Sequence, residues 1–307
     1  MASPQLSQNG QNAPPKKRKR IRFRVCHLYP VPPPRGTKFL RCGAGSLLLP
    51  YSFMSIRFTH KPGLVAYITC GDPSLEVSRD VALAAIDAGA DVIELGVPFS
   101  DPVADGPVIQ RASQRAIAQN TDLQGVIEAA RQIRERSEVG LIIFSYLNPI
   151  LQFGLKRFCQ AAVNAGVDGA LVTDLPVEEA ADYLHAMKSH KLLPVFLAAP
   201  TSTEDRLKAV ARYSKGFVYA ISRTGITGAR QEVASDAREL VRRLRQFTQL
   251  PVAVGFGVST PEQFDEVGQF ADAAVIGSAI VQRIEENPGR EASAVAEFLQ
   301  GLRHASH

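Results

Sequence analysis

Residues 54–307 predict an α/β fold of the (β/α)8, or TIM-barrel, class, as a single domain behind a basic N-terminal extension. Three observations carry that prediction. Short β-branched runs alternate with longer amphipathic stretches eight times from Leu64 onward, and runs so uniformly apolar suit strands buried on both faces. The alternation fills about 250 residues, a length at which α/β barrels run as one domain. The first strand turns through Cys70-Gly71-Asp72-Pro73, without the G-x-G-x-x-G turn that an open doubly wound sheet usually brings.

Taken in order, the first strand is Leu64–Thr69, and the amphipathic stretch Leu75–Ala88 follows as helix. The second strand is Asp91–Gly96; after it a helix begins near Pro107, where proline suits a first turn, and another covers Leu123–Arg136. Leu141–Tyr146 and Gly169–Thr173 are the third and fourth strands, with a helix over Glu178–His190. Pro194–Ala198 and Phe217–Ser222 are the fifth and sixth, and Ser235–Phe247 is helical. Pro251–Gly255 is the seventh, followed by helix Pro261–Phe270; Ala273–Ile276 is the eighth and runs into a last βα turn at Gly277-Ser278-Ala279. A weak repeat supports the pattern: Asp87-Ala88-Gly89-Ala90-Asp91 recurs as Asn164-Ala165-Gly166-Val167-Asp168, a helix ending at glycine just before a strand.

The net charge of +5 divides unevenly. Residues 1–53 hold ten of the 35 basic residues, no acidic residue and eight of the 20 prolines, which leaves the body mildly acidic at −5. Pro14-Pro15-Lys16-Lys17-Arg18-Lys19-Arg20 fits a nuclear import signal or a nucleic-acid-binding arm, and the lack of acids also fits an organellar transit peptide. The alternatives are an unstructured extension or translated upstream sequence ahead of a start at Met54. No apolar run approaches the roughly 18 residues of a membrane span. Cys26, Cys42, Cys70 and Cys159 have no metal-ligand or disulfide-framework spacing, so a reducing, cytoplasmic setting is the expectation, with an organelle as the alternative if the extension is a targeting segment.

In this fold the reactive groups gather at the C-terminal strand ends. Strand two, Val92-Ile93-Glu94-Leu95-Gly96, turns Glu94 to the same face as Val92 and Gly96, where desolvation raises a carboxyl pKa unless an arginine pairs with it. The following loop adds Asp101 and Asp105; Asp105 is a general acid–base candidate or a helix cap, and Asp101-Pro102 a site element or a turn. Tyr219 shares a strand face with Phe217 and Ile221, as a site tyrosine or a core one. None of the six lysines of the body lies at a strand end, and its histidines show no metal-ligand pairing there, which leaves carboxylate acid–base chemistry aided by tyrosine. Glycine turns at Gly228, Gly257 and Gly277-Ser278 follow strands six, seven and eight, where backbone N–H groups and a helix end hold phosphate in such barrels.

Several segments together resemble the tryptophan synthase alpha chain family: Tyr67-Ile68-Thr69-Cys70-Gly71-Asp72-Pro73, the fourteen residues from Glu94 to Pro107, Leu147-Asn148-Pro149, Thr173–Glu179, Ser222–Gly228, Gly255-Phe256-Gly257 and Gly277–Ile280. The resemblance implies cleavage of indole-3-glycerol phosphate to indole and glyceraldehyde 3-phosphate, a carbon–carbon lyase step in tryptophan biosynthesis. It places catalytic roles on Glu94, Asp105 and Tyr219, an indole pocket on Tyr67, Phe144 and Tyr146, and substrate closure and phosphate contacts on Thr227, Gly228, Gly257, Gly277 and Ser278. Tyr67 stands where the family often has phenylalanine. The resemblance further implies an α2β2 heterotetramer with a beta chain that carries pyridoxal phosphate, contacted through Pro98, Asp101, Pro102, Asn148, Asp174 and Pro176. No cofactor is expected in this chain, and neither a membrane nor a nucleic acid as partner. It also implies a short helix closing the barrel floor before strand one, for which Met54–Gly63 leaves little chain, so the cap is abbreviated or part of Gly43–Phe53 completes it. The competing readings are a free-standing lyase, another phosphate-binding barrel isomerase, and a nucleic-acid-associated protein acting through its extension.

Overall fold

The computed structural model describes residues 56–221, 230–255 and 257–304. Its strands are β1 (Gly63–Thr69), β2 (Val92–Gly96), β3 (Gly140–Ser145), β4 (Gly169–Val172), β5 (in two pieces, Leu193–Val195 and Leu197–Ala198), β6 (Val218–Ile221), β7 (Val252–Gly255) and β8 (Ala273–Ile276). The pairings are parallel and follow chain order, with β1 beside both β2 and β8. The ring closes at β5. Its first piece pairs with β4 and its second with β6. Between them the Phe196 N–H donates to Ser214 Oγ at 3.3 Å, which draws it out of the strand ladder.

The helices are α1 (Leu75–Asp87), α2 (Pro107–Ala118), α3 (Leu123–Arg134), α4 (Leu147–Phe153), α5 (Leu155–Asn164), α6 (Ala181–Ser189), α7 (Glu204–Tyr213), α8 (Arg230–Leu244), α9 (Pro261–Gly268), α10 (Ser278–Glu286) and α11 (Glu291–His304). Local chemistry sets their starts. Ser74, Asp122 and Thr203 accept N–H bonds at the heads of α1, α3 and α7, and Thr260 with Gln263 closes a reciprocal box on α9. The helix expected from Glu178 is instead a 3-10 turn, Val177–Glu179, followed by α6. The helix expected from Ser235 begins at Arg230.

Period-two alternation separates two apolar layers. Val65, Val92, Ile142, Leu171, Val195, Phe217, Ala253 and Val275 fill the ring, while Leu64, Ile93, Leu141, Ala170, Val218, Val252 and Ala274 face the helices. Residues 56–62 carry no helix. Ile56, 7% exposed, joins the inner layer from below, and Phe58 meets Phe217 edge-on at 6.2 Å, so among the described residues side chains, and no helix, cover the floor; Gly43–Phe53 lies outside the described residues.

The internal repeat has a structural role at that floor. Gly89 and Gly166 take φ of +95° and +76°, conformations open to glycine, and turn the chain from helix to strand. The aspartates that follow then clasp the preceding strand: Asp91 accepts from the Leu64 N–H at 2.9 Å and Asp168 from the Leu141 N–H at 2.8 Å. Asp272 does the same for Val252 at 2.7 Å. An arginine completes each acidic clasp: Arg303 on Asp91, Arg134 on Asp168 and Arg245 on Asp272. Each guanidinium also donates to a nearby backbone carbonyl, of Gly89, Gly166 and Leu250 respectively. The lower strand ends are thus pinned in register, away from the face that holds the reactive groups.

Candidate active site

The carboxyl at the centre of the upper face is fixed by strand geometry. Glu94 is the middle residue of β2, with Val92 beneath it and Gly96 above, and it is completely buried. Neither Oε1 nor Oε2 has a hydrogen-bond partner among the described residues, so no described arginine neutralises it. Burial alone pushes its pKa up to about 8. At neutral pH it holds its proton, as a weaker acid than an ordinary carboxyl.

Tyr67 lies beside it in register on β1, 5% exposed, with its ring edge-on to Phe144 at 5.0 Å. Tyr219 projects inward from β6. Each tyrosine leans over a glycine of the next strand: a β-carbon at Gly96 would collide with the Tyr67 phenol, and one at Gly255 with the Tyr219 phenol. Burial raises the pKa of both phenols, and the carboxylates Asp105 and Glu94 reinforce the shift, so both remain neutral. Val108 and Ile109 of α2 pack against Tyr67 and Phe144 and give the pocket an apolar wall.

Asp105 is not the cap of α2; Gly106 takes that place and offers no side chain. The Asp105 carboxylate instead accepts the Tyr146 hydroxyl at 3.0 Å, and the same hydroxyl accepts the Ala104 N–H at 3.0 Å. Tyr146 therefore holds the loop and its acid together, backed by Phe99 at 5.0 Å between ring centroids. Burial raises the Asp105 pKa to about 6, and the Tyr146 bond partly opposes the rise. The two acids differ as a result: near pH 7 Glu94 keeps its proton and Asp105 does not.

Gly257 has φ of +80° just beyond β7, and Gly277 heads α10 without a side-chain cap, which leaves the N–H groups at Ser278 and beyond directed out of the helix end. A β-carbon at Gly277 would meet the Tyr67 side chain in ordinary contact. Thr227 and Gly228 lie outside the described residues. Of the residues expected to meet a partner, Asp101, Asn148 and Asp174 are exposed and Pro102 and Pro176 are half-buried. Pro98 is buried and supports the loop from beneath. Val103 of the loop after β2, 86% exposed, and Leu151 of α4, 55% exposed, add apolar surface at this end.

One group escaped the sequence reading. Arg115 of α2 makes two bonds to the buried Asp72, at 2.7 and 2.8 Å, and a third to Glu285 of α10 at 2.7 Å. It ties the loop after β1 to the helix whose head faces the site. Sequence separations of 43 and 170 residues leave no local signal for it.

The family model for the tryptophan synthase alpha chain matches residues 53–306. The chain belongs to the tryptophan synthase alpha chain family. It is 52% identical over 235 residues to the tryptophan synthase alpha chain of Solibacter usitatus, covering 76% of this chain and 88% of that one. The Geobacter sulfurreducens alpha chain is 45% identical over 258 residues, covering 83% of this chain and 97% of its own length. Among solved structures, tryptophan synthase subunit alpha from Legionella pneumophila superposes with a TM-score of 0.74 at 35% identity, over 80% of this chain and 92% of that one. This membership agrees with the barrel architecture. Among the described residues, no helix is long and apolar enough to cross a membrane, and no cluster of His, Cys, Asp and Glu has metal-binding geometry.

Proposed function

We propose that this chain is the alpha subunit of a tryptophan synthase, cleaving indole-3-glycerol phosphate into indole and glyceraldehyde 3-phosphate. The observation that carries the chemistry is Glu94, wholly buried, unpaired among the described residues and raised to about 8. Its proton goes to indole C3. The positive charge this creates at the ring N–H faces the ionised Asp105, oriented by Tyr146. Glu94, now a carboxylate, takes the proton of the side-chain hydroxyl next to the scissile bond. The C–C bond breaks, its electrons restore the aromatic indole, and the aldehyde departs with Glu94 reprotonated. Each proton transfer contributes roughly 10²–10⁴-fold, and neither requires an amine or a metal.

Tyr67, Phe144 and Tyr146 enclose the ring, and Tyr219 stands across the barrel from it. The head of α10 at Gly277 and Ser278, with Gly257, receives the phosphate through backbone N–H groups; the family resemblance assigns Thr227 and Gly228, outside the described residues, to the same role. The acidic and apolar groups at Asp101, Pro102, Val103, Asp174 and Pro176 in the loops and at Asn148 and Leu151 on α4, with Pro98 buried behind them, form the surface for a pyridoxal-phosphate-dependent beta chain in a cytoplasmic α2β2 assembly. Residues 54–307 constitute the catalytic unit, and 1–53 an extension without a part in catalysis. The test is release of indole from indole-3-glycerol phosphate by the isolated chain and with a beta chain added. Slow release that the beta chain accelerates supports this reading; turnover of a phosphoribosyl substrate, with no indole formed, sinks it.

A further inference from the structure

The hydroxyl of Tyr67 has no place in the steps above, and its surroundings suggest one. It receives a bond from the Thr69 hydroxyl at 3.4 Å, the one hydrogen bond of this phenol among the described residues. The phenolic oxygen is thus an acceptor there, and its own proton has no described acceptor. Among buried side chains of the described residues, the unpartnered acceptor atoms are the two carboxyl oxygens of Glu94. Tyr67 and Glu94 are paired in register on adjacent strands, both inward, and the missing side chain of Gly96 lets the phenol settle across β2. A donor without an acceptor and an acid without a donor therefore sit side by side, both buried.

We propose that Tyr67 is a positioning residue for Glu94: its phenol donates to the Glu94 carboxylate in the interval when that group has given up its proton. The inference rests on the acid–base role proposed above for Glu94. While Glu94 is protonated the phenol rests on Thr69. Once Glu94 is ionised, a charge-assisted bond from the phenol supplies the partner that its buried carboxylate lacks. The bond orients the carboxylate for the second proton transfer. The other titratable groups acting on this space are Asp105 from the loop after β2, Cys70 just after β1, its thiol pKa pushed up to about 12 by burial, and Tyr219 from β6. Ile142, Leu171, Val195, Ala253 and Val275, inward from β3, β4, β5, β7 and β8, bring no charge. Asp105 already holds the Tyr146 hydroxyl, so the unmet demand is that of Glu94.

The test is Tyr67→Phe, which keeps the ring and its packing, in the alpha–beta complex with indole-3-glycerol phosphate. The pH profile of kcat/KM is read alongside kcat and KM. Loss of one bond to a buried carboxylate moves the alkaline limb, set by Glu94, upward by about 1 pH unit. It lowers kcat by about tenfold with KM changed less than twofold, because the bond is made only after the proton has left. An unmoved alkaline limb, or displacement of the acid limb alone, overturns the proposal; the latter would assign the phenol to Asp105. A wild-type complex that releases no indole would instead defeat the underlying reading of function, so the two failures are distinguishable.

Discussion

At the scale of single residues, the account turns on two carboxyls driven apart by their surroundings. Activity needs Glu94 protonated and Asp105 ionised, so it rises as pH passes through about 6 and falls as pH passes through about 8. A bell-shaped kcat/KM profile centred near pH 7 is the expected result. Tyr146→Phe removes the bond that holds the Asp105 pKa down, so it moves the acid limb upward and leaves the alkaline limb in place. The buried acid also costs stability. Its folded pKa lies above its unfolded one, so the penalty is absent below about pH 4.5 and grows to its full size as pH rises through about 8. Glu94→Gln therefore unfolds at higher denaturant, with a gain of about 1–3 kcal/mol at pH 8 and almost none at pH 4. Glu94 was legible in the sequence because an acid inside an apolar strand has few bland explanations. The bond from Tyr146 to Asp105 was not, because it spans 41 residues between two loops whose approach only the closed barrel defines.

At the scale of elements, alternation and glycine stops place each of the eight strands, with ends displaced by a residue or so. What pattern alone leaves open is what the repeated Gly-x-Asp does. Helix capping explains the glycine, but the aspartate acts across strands, on an N–H 27 residues earlier in both copies. Asp168→Ala removes a nearly buried acceptor, exposes the Leu141 N–H and strands Arg134, so a loss of about 2–4 kcal/mol is expected in urea unfolding. The active-site pH profile should stay unchanged in that variant, since the clasp lies at the opposite end of the strands. The break in β5 at Phe196 was likewise hidden: Pro194–Ala198 reads as one strand, and only the fold brings Ser214 to the Phe196 N–H. The floor completes this scale. A helix was expected from resemblance; among the described residues the floor instead receives Ile56 and Phe58, two apolar side chains packed on the inner layer of the ring.

At the scale of the whole molecule, the +5 charge combines a basic extension with an acidic body, and the proposed chemistry belongs to the body. The family match begins at residue 53, next to the division expected from composition. A chain starting at Met54 should keep its indole release within about twofold and its response to a beta chain, as measured by steady-state kinetics at equal concentrations. The phosphate end of the site was legible as glycine turns after the last strands, whereas the Arg115 bridge that steadies α10 was not, since it joins three distant parts of the chain. The most direct test of the central claim is the rate of indole release from indole-3-glycerol phosphate by Glu94→Gln in the presence of a beta chain. Loss of Glu94 as both acid and base predicts a fall of at least about 10³-fold with substrate binding retained. A variant that releases indole at the wild-type rate would contradict the account.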